Sequence, residues 1–211
     1  SKTFHLDQRI LMTGRKNGLP IDTANVQRAT RSVSESVDDL FFNGGFTYGA
    51  ATVYGYLTHP QRNTIAGGET SDWNLPAITG TKIVDNVISM VDAAFQDNIS
   101  GPFVLYIPFD YNAKLDADFK ADSDMTIRER ILKINGVQAI VPTRRLADLN
   151  VVLVTMRSDV VDTVVGFRPT PVQWETQAGA VTHFKVMSII VPRIKQDSDN
   201  RSGIVHLTLT A

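Results

Sequence analysis

Asp38–Pro60 reads DDLFFNGGFTYGAATVYGYLTHP. Two carboxylates, three bulky apolar residues and then Asn43-Gly44-Gly45 mark the end of a helix, because Asn and Gly supply the left-handed backbone that stops one. Upstream, Val26, Ala29, Val33, Val37, Leu40 and Phe41 recur every three or four residues and draw one apolar stripe. Arg28, Arg31, Glu35 and Asp38 occupy the rest of the surface. A helix is therefore expected over 23–43, capped at its start by Asp22 or Thr23. At 1.5 Å per residue it is a rod about 30 Å long, enough to span a small domain.

Beyond that stop, residues 44 to 80 are rich in Gly, Thr, Asn and Pro and lack sustained periodicity, which predicts a long structured loop. A second amphipathic helix is expected from Thr81 to Asp97, with Ile83, Val84, Val87, Val91, Ala94 and Phe95 on its apolar side. Gly101-Pro102 ends it, and FVLYI at 103–107 reads as a buried strand. Pro108 and Asp110 open a short helix ending near Phe119. Thr126-Ile127-Arg128-Glu129 fits a capping box opening a helix to about Ile134. From Gly136 the pattern turns strand-like: VQAIV, NVVLVTM, VVDTVVGF, PVQWE, THFKVMSIIV and GIVHLTLT. Phe4–Met12 also reads as a strand. The fold class is α+β, with two long helices first and a β-rich second half. The chain enters that first strand at once, which is the expectation for a sequence whose amino-terminal segment is processed away or not included.

The 211 residues, 43% hydrophobic and 20% charged, can bury one sizeable core, as one domain or two intimate subdomains. Twenty-one basic against 22 acidic residues supply no global field toward nucleic acid or an anionic membrane, so any such contact is local. Without cysteine there is no disulfide, thiolate metal site or cysteine nucleophile. No apolar run approaches the ~20 residues needed to cross a bilayer.

Catalytic chemistry finds little support. His5, His59, His183 and His206 show no spacing that places two on one helix face or in one loop. Asp116, Asp118, Asp122 and Asp124 suggest a calcium loop, but Lys120 sits where a ligand is wanted and Ile127 replaces the required Gly; a solvated helix end is the plainer reading. No nucleophile elbow, phosphate loop or dinucleotide fingerprint occurs. Gly44, Gly45 and Gly49 follow a helix instead of opening one, the wrong order for cradling phosphate. Trp73 and Trp174 are expected as packing anchors. Arg9, Arg15, Lys16, Arg28 and Arg31, with Arg144 and Arg145 as a second cluster, are candidates for subunit or nucleic-acid contact, against the ordinary reading of a solvated face. No cofactor or metal is expected.

The order of these elements carries a resemblance. The helix ending in DDLFFNGG and the Gly-rich loop reaching Gly-Tyr-Leu resemble the end of the spine helix in tailed-bacteriophage major capsid proteins and encapsulins, the Hong Kong 97 type of capsid fold. The helix at 81–97 and GPFVLYIPFDYNAKLDA are similar to that family's next helix, central strand and short helix. GVQAIVPTRRLADLNVVLVTMRSDVVDTVVGF is similar to its paired strands leading to a valine-glycine turn, and THFKVMSIIVPRI to its closing strand.

The resemblance, covering nearly the whole chain from Phe4, implies a spine helix, a peripheral domain, an axial domain and an extended loop that overlaps a neighbour. By that map residues 1–22 are the returning strand of the extended loop and its connection, and 23–80 are the spine helix and peripheral loop. Residues 81–162 are the axial domain and 163–211 the return strands of the peripheral domain. It implies a non-enzymatic shell subunit that assembles with many copies of itself into an icosahedral virion capsid in a bacterial or archaeal host cytoplasm. The shell would enclose double-stranded DNA, with portal, scaffold or decoration proteins as further partners and no membrane. An encapsulin compartment holding a protein cargo is the alternative. A soluble enzyme or ligand-binding domain using 44–80 as a lid is the alternative of another class. The family also carries an amino-terminal arm and an outgoing loop strand that this sequence lacks, and Lys16 has no matching acid and acceptor, so cross-linking is not predicted.

Overall fold

The computed structural model describes residues 2–7, 21–49, 51–67, 71–120, 124–176 and 181–210. Helices and sheets are both present and the chain is α+β, dividing into two compact units, Ser1–Leu40 with Thr163–Val191 and Phe41–Asp162 with Pro192–Ala211.

In the first unit, helix α1 spans Ile21–Asn43, its residues to Leu40 belonging here. Ala29 and Val33 are buried against Val186, while Val26, Val37 and Leu40 are half-buried, so the expected stripe faces inward with its centre deepest. The helix begins at Ile21, earlier than expected, so Asp22 and Thr23 lie within its first turn and not at the cap position. Strand β1 (Lys2–Asp7) runs antiparallel to the later strand β9 (Val181–Ile194), and β9 also pairs with β8 (Val161–Thr176). The remainder of the expected first strand, Gln8–Met12, lies outside the described residues.

Along β9, Thr182, Phe184 and Val186 are buried and the residues between them are half-buried, the period-two signature of a strand with one covered face. VVDTVVGF and PVQWE are one continuous strand, not two. Pro169 and Pro171 are accommodated because β8 is an edge strand, where a missing N–H need cost no ladder bond. Trp174, expected as a packing anchor, instead lies 40% exposed on β8, stacked on His183 at 5.2 Å.

The second unit is built on a mixed sheet. After α1, Gly44 and Gly45 take positive φ and stop the helix as expected. The 44–80 region is not all loop: β2 (Phe46–Tyr48) and β3 (Ala51–Val53) form a tight antiparallel pair, and β4 (Asn63–Ala66) joins the sheet. Helix α2 follows (Gly80–Gln96), capped by the Thr79 hydroxyl, then β5 (Phe103–Pro108). The short helix expected to Phe119 is a 3-10 turn, Phe109–Tyr111, and one turn of α3, Asn112–Leu115. Helix α4 is Ile127–Leu132, with both bonds of the Thr126/Glu129 capping box formed. Strands β6 (Val137–Thr143), β7 (Asn150–Thr155) and β10 (Ile204–Thr208) complete the sheet, in the order β4-β10-β7-β5-β6. The pairs β4/β10 and β5/β6 are parallel and the others antiparallel.

Alternation in these strands feeds two apolar layers. Phe103, Leu105, Ile107, Val151, Leu153, Val205 and Leu207 point into a core shared with α2 and α4. Val152, Val154 and Ile204 point to the opposite side, onto Phe42, Tyr56 and Leu146. Covered on both faces, β7 is almost continuously apolar. From α2, Ile83, Val87 and Met90 are fully buried, each worth about 1.5–3 kcal/mol of transfer free energy. Phe95, expected on the buried side, is 41% exposed and touches Phe103 only edge-on at 5.8 Å; Met90 fills the core in its place. Trp73 is fully buried against Tyr111, as a packing anchor should be.

Candidate functional site

The basic residues singled out from sequence separate by unit. Arg9, Arg15 and Lys16 lie outside the described residues. Arg28 and Arg31 are exposed on α1, three residues apart and so on neighbouring positions of one face. Arg31 donates to Glu35 one turn on, at 3.0 Å, with 82% of its side chain in solvent. In the second unit Arg144 is exposed and lies over the Phe109 ring, 4.7 Å from its centre, a cation–π contact. Arg145 is half-buried: its N–H donates to Thr143 Oγ1 and its carbonyl accepts from Asn43. Adjacent in sequence, the two arginines thus do different work, one presented on an exposed aromatic and the other fastening the β6–β7 connection to the end of α1.

Among the described residues, the second unit carries concavities of different character. One, of about 200 Å³, is lined by Asp97, Arg157, Asp159, Lys195, Asp197 and Arg201 among others. Each lining cation has a carboxylate partner: Arg157 has Asp159, Lys195 has Asp162 at 2.8 Å, and Arg201 has Asp199 and Asp97 at 3.8 and 4.0 Å, while Asp197 accepts the backbone N–H groups of Asp199 and Arg201. Arg193 and Lys195 hold the Asp162 carboxyl well below the usual carboxylate range. Another is an open groove between the Phe109–Asp110 and Arg144–Asp148 segments.

Residues without evident partners in sequence acquire them in space. Tyr111 donates to Asp72 Oδ1 at 2.8 Å and accepts from the Leu149 N–H at 3.2 Å, and burial together with that carboxylate pushes its phenol well up. Asp116 pairs with Arg128 of α4 at 2.6 Å, and the backbone at Asp118 forms an isolated antiparallel bridge with Thr126 at the entrance to that helix. Asp122 lies outside the described residues. Among the described residues no three His, Asp or Glu gather as a metal site, and no helix is long and apolar enough to cross a membrane.

The sequence reading missed one cluster. His59 and His206, 4% and 7% exposed, flank Arg62, which donates to the ring of one and the carbonyl of the other. A separation of 144 residues between Arg62 and His206 leaves no local signal of the contact.

The class defined by this arrangement is the tailed-phage capsid fold. The capsid protein of the myovirus phage XM1 superposes with a TM-score of 0.78 at 10% identity, over 99% of this chain and 72% of that one. The capsid of the native GTA particle gives 0.64 at 14%, over 100% and 71%. The virus-like particle from Pyrococcus furiosus gives 0.57 at 23%, over 72% of this chain and 58% of that one. This chain therefore spans a little under three fifths of the archaeal subunit's length and about seven tenths of the phage subunits'. No curated protein matches the sequence. The chain belongs to DUF6260, a family of unknown function whose profile matches residues 1–207.

Proposed function

We propose that this chain is a structural shell subunit, the major capsid protein of a tailed phage or related element, which assembles with many copies of itself into a closed icosahedral container for double-stranded DNA. The observation that carries this reading is the superposition on a phage capsid subunit through 99% of the chain. On this reading α1 is the spine, residues 81–162 form the axial domain, 163–211 return to the peripheral domain, and 1–22 belong to an extended loop overlapping a neighbour. A shell subunit works through broad complementary surfaces, and repeated heterologous contacts about symmetry axes close the container. The exposed apolar residues of β8 and β9, Val164, Val165, Phe167, Val172, Trp174 and Ile189, suit that use. Near-zero net charge suits it too, since many copies of a strongly charged subunit would repel one another. The role is structural, and the internally paired charges of the 200 Å³ concavity accord with it. Arg9, Arg15, Lys16, Arg28, Arg31, Arg144 and Arg145 are candidates for subunit or DNA contact on this reading, and the virion capsid is the place of action.

The likeness to the archaeal virus-like particle at 23% identity favours a second reading, an encapsulin-type compartment around a protein cargo. Nuclease treatment of purified particles, followed by extraction and by absorbance at 260 and 280 nm, separates the two. Protected duplex DNA of uniform length supports the phage capsid; particles holding a stoichiometric second protein and no nucleic acid select the compartment instead.

A further inference from the structure

On the face of the five-stranded sheet that carries Val152 and Ile204, segments far apart in sequence meet at two buried imidazoles. The ring of His206 on β10 lies between Asn150 and Arg62: its Nε2 is 2.8 Å from Asn150 Oδ1, and its Nδ1 accepts from the Arg62 Nε–H at 3.3 Å. The orientation of the Asn150 amide is fixed, because its Nδ2 donates to the carbonyls of Ala147 and Asp148. Oδ1 therefore faces the ring as an acceptor. His206 must carry its hydrogen on Nε2 and keep a lone pair on Nδ1, which is the neutral imidazole.

Arg62 also donates from Nη1 to the His59 carbonyl at 2.9 Å. The His59 ring in turn accepts at Nδ1 from the Gln61 N–H at 3.3 Å and turns Nε2 toward Gln196, 3.4 Å away, with Tyr54 edge-on to it. Gln196 reaches the Gln61 side chain, and the Ser202 hydroxyl donates to the Gln61 carbonyl at 2.8 Å. Residues 59–62 are thus tied to β10 and to the turn before it through uncharged imidazoles around one cation.

A proton added to His206 Nδ1 would set an N–H against the Arg62 N–H and a second positive charge beside the guanidinium. The carboxylate on the adjoining segment, Asp97, is already shared between Asn63 at 2.8 Å and Arg201 at 4.0 Å. Burial, then Arg62, pushes His206 down to about 4, and the same two causes lower His59. The core beneath α2 contains no histidine.

We infer that His59, Arg62 and His206 form an acid-released latch: neutral imidazoles hold residues 59–62 against β10, and protonation frees that turn while the α2 core stays closed. The inference is a property of the subunit and stands apart from shell assembly.

Hydrogen exchange read by mass spectrometry on the full chain, corrected for intrinsic rates, tests it between about pH 7.5 and about pH 4.5. Protection of the Gln61 and Arg62 amides, which donate to the His59 ring and carbonyl, is expected to fall by at least about tenfold relative to those of β5. His206→Asn should make that ratio distinctly less dependent on pH, the remainder belonging to His59. Arg62→Gln should move its midpoint toward neutral pH, since the repelling charge is gone. Constant protection in the native chain, loss in step with β5, or an unchanged transition in His206→Asn would overturn the latch. Should His206→Asn fail to fold, an unshifted midpoint in Arg62→Gln overturns it instead.

Discussion

Gly44 and Gly55 meet backbone to backbone: a β-carbon on Gly55 would stand 2.5 Å from the Gly44 nitrogen, and one on Gly44 would stand 2.3 Å from the Gly55 nitrogen. The closeness brings the chain after Gly55 onto the end of α1. There the N–H groups of Tyr56 and Leu57 donate to the carbonyls of Phe41 and Phe42, both at 2.9 Å, satisfying acceptors that a helix terminus leaves open. Gly55→Ala should therefore destabilise the subunit by about 1–3 kcal/mol through backbone displacement. Urea denaturation followed by circular dichroism measures this; a loss below ~0.5 kcal/mol would mean that the two strands of backbone can part freely.

Phe42 and Phe41 are neighbours with unequal burial. Phe42 is 7% exposed, with its ring edge-on to Tyr56 at 5.6 Å and to Tyr106 at 5.1 Å, whereas Phe41 is half-buried. Phe42→Ala should cost about 3–5 kcal/mol, and Phe41→Ala distinctly less. The order of the two denaturation midpoints is the readout.

At the entrance to α4 the capping box satisfies two backbone donors at once, Glu129 N–H on the Thr126 hydroxyl and Thr126 N–H on the Glu129 carboxylate. Thr126→Ala should cost about 1 kcal/mol. Thr126→Ser, which keeps the oxygen, should restore most of it in the same assay.

Acid should weaken the fold in a defined window. His206 is held at about 4, below the ordinary histidine value, so the unfolded chain takes up its proton first as pH falls. Its contribution is complete above about pH 6.5 and is lost on descent toward about pH 4, at up to about 1.4 kcal/mol per pH unit. Thermal melts of the native chain should slope downward across that window, and those of His206→Asn should slope less. Parallel slopes would contradict the assignment.

Much of the architecture could be read locally. The 3.6-residue stripe of α1, the inward face of α2 through Ala94, the breaker-bounded FVLYI strand and the Thr126-x-x-Glu129 box are each encoded within a few neighbouring residues. What escaped depends on distant pairing. Asn63–Ala66 looks like loop because its strand identity comes from β10, with Val205 opposite Asn63. Phe95 obeys the helical period yet stays 41% exposed at the rim of the core, edge-on to Phe103. Trp174 is an anchor by residue type, but on its edge strand it stays 40% exposed and stacks on His183 of the neighbouring strand. The His59–Arg62–His206 cluster joins a loop to a strand at the other end of the chain, so periodicity and spacing are silent about it.

Electron microscopy of the purified full-length protein, with sedimentation velocity on the same sample, tests the shell assignment most directly. Closed particles of uniform diameter, sedimenting as one boundary far above the 23.3 kDa subunit, are the predicted result. A monomer or small oligomer at every concentration and salt tried would contradict it.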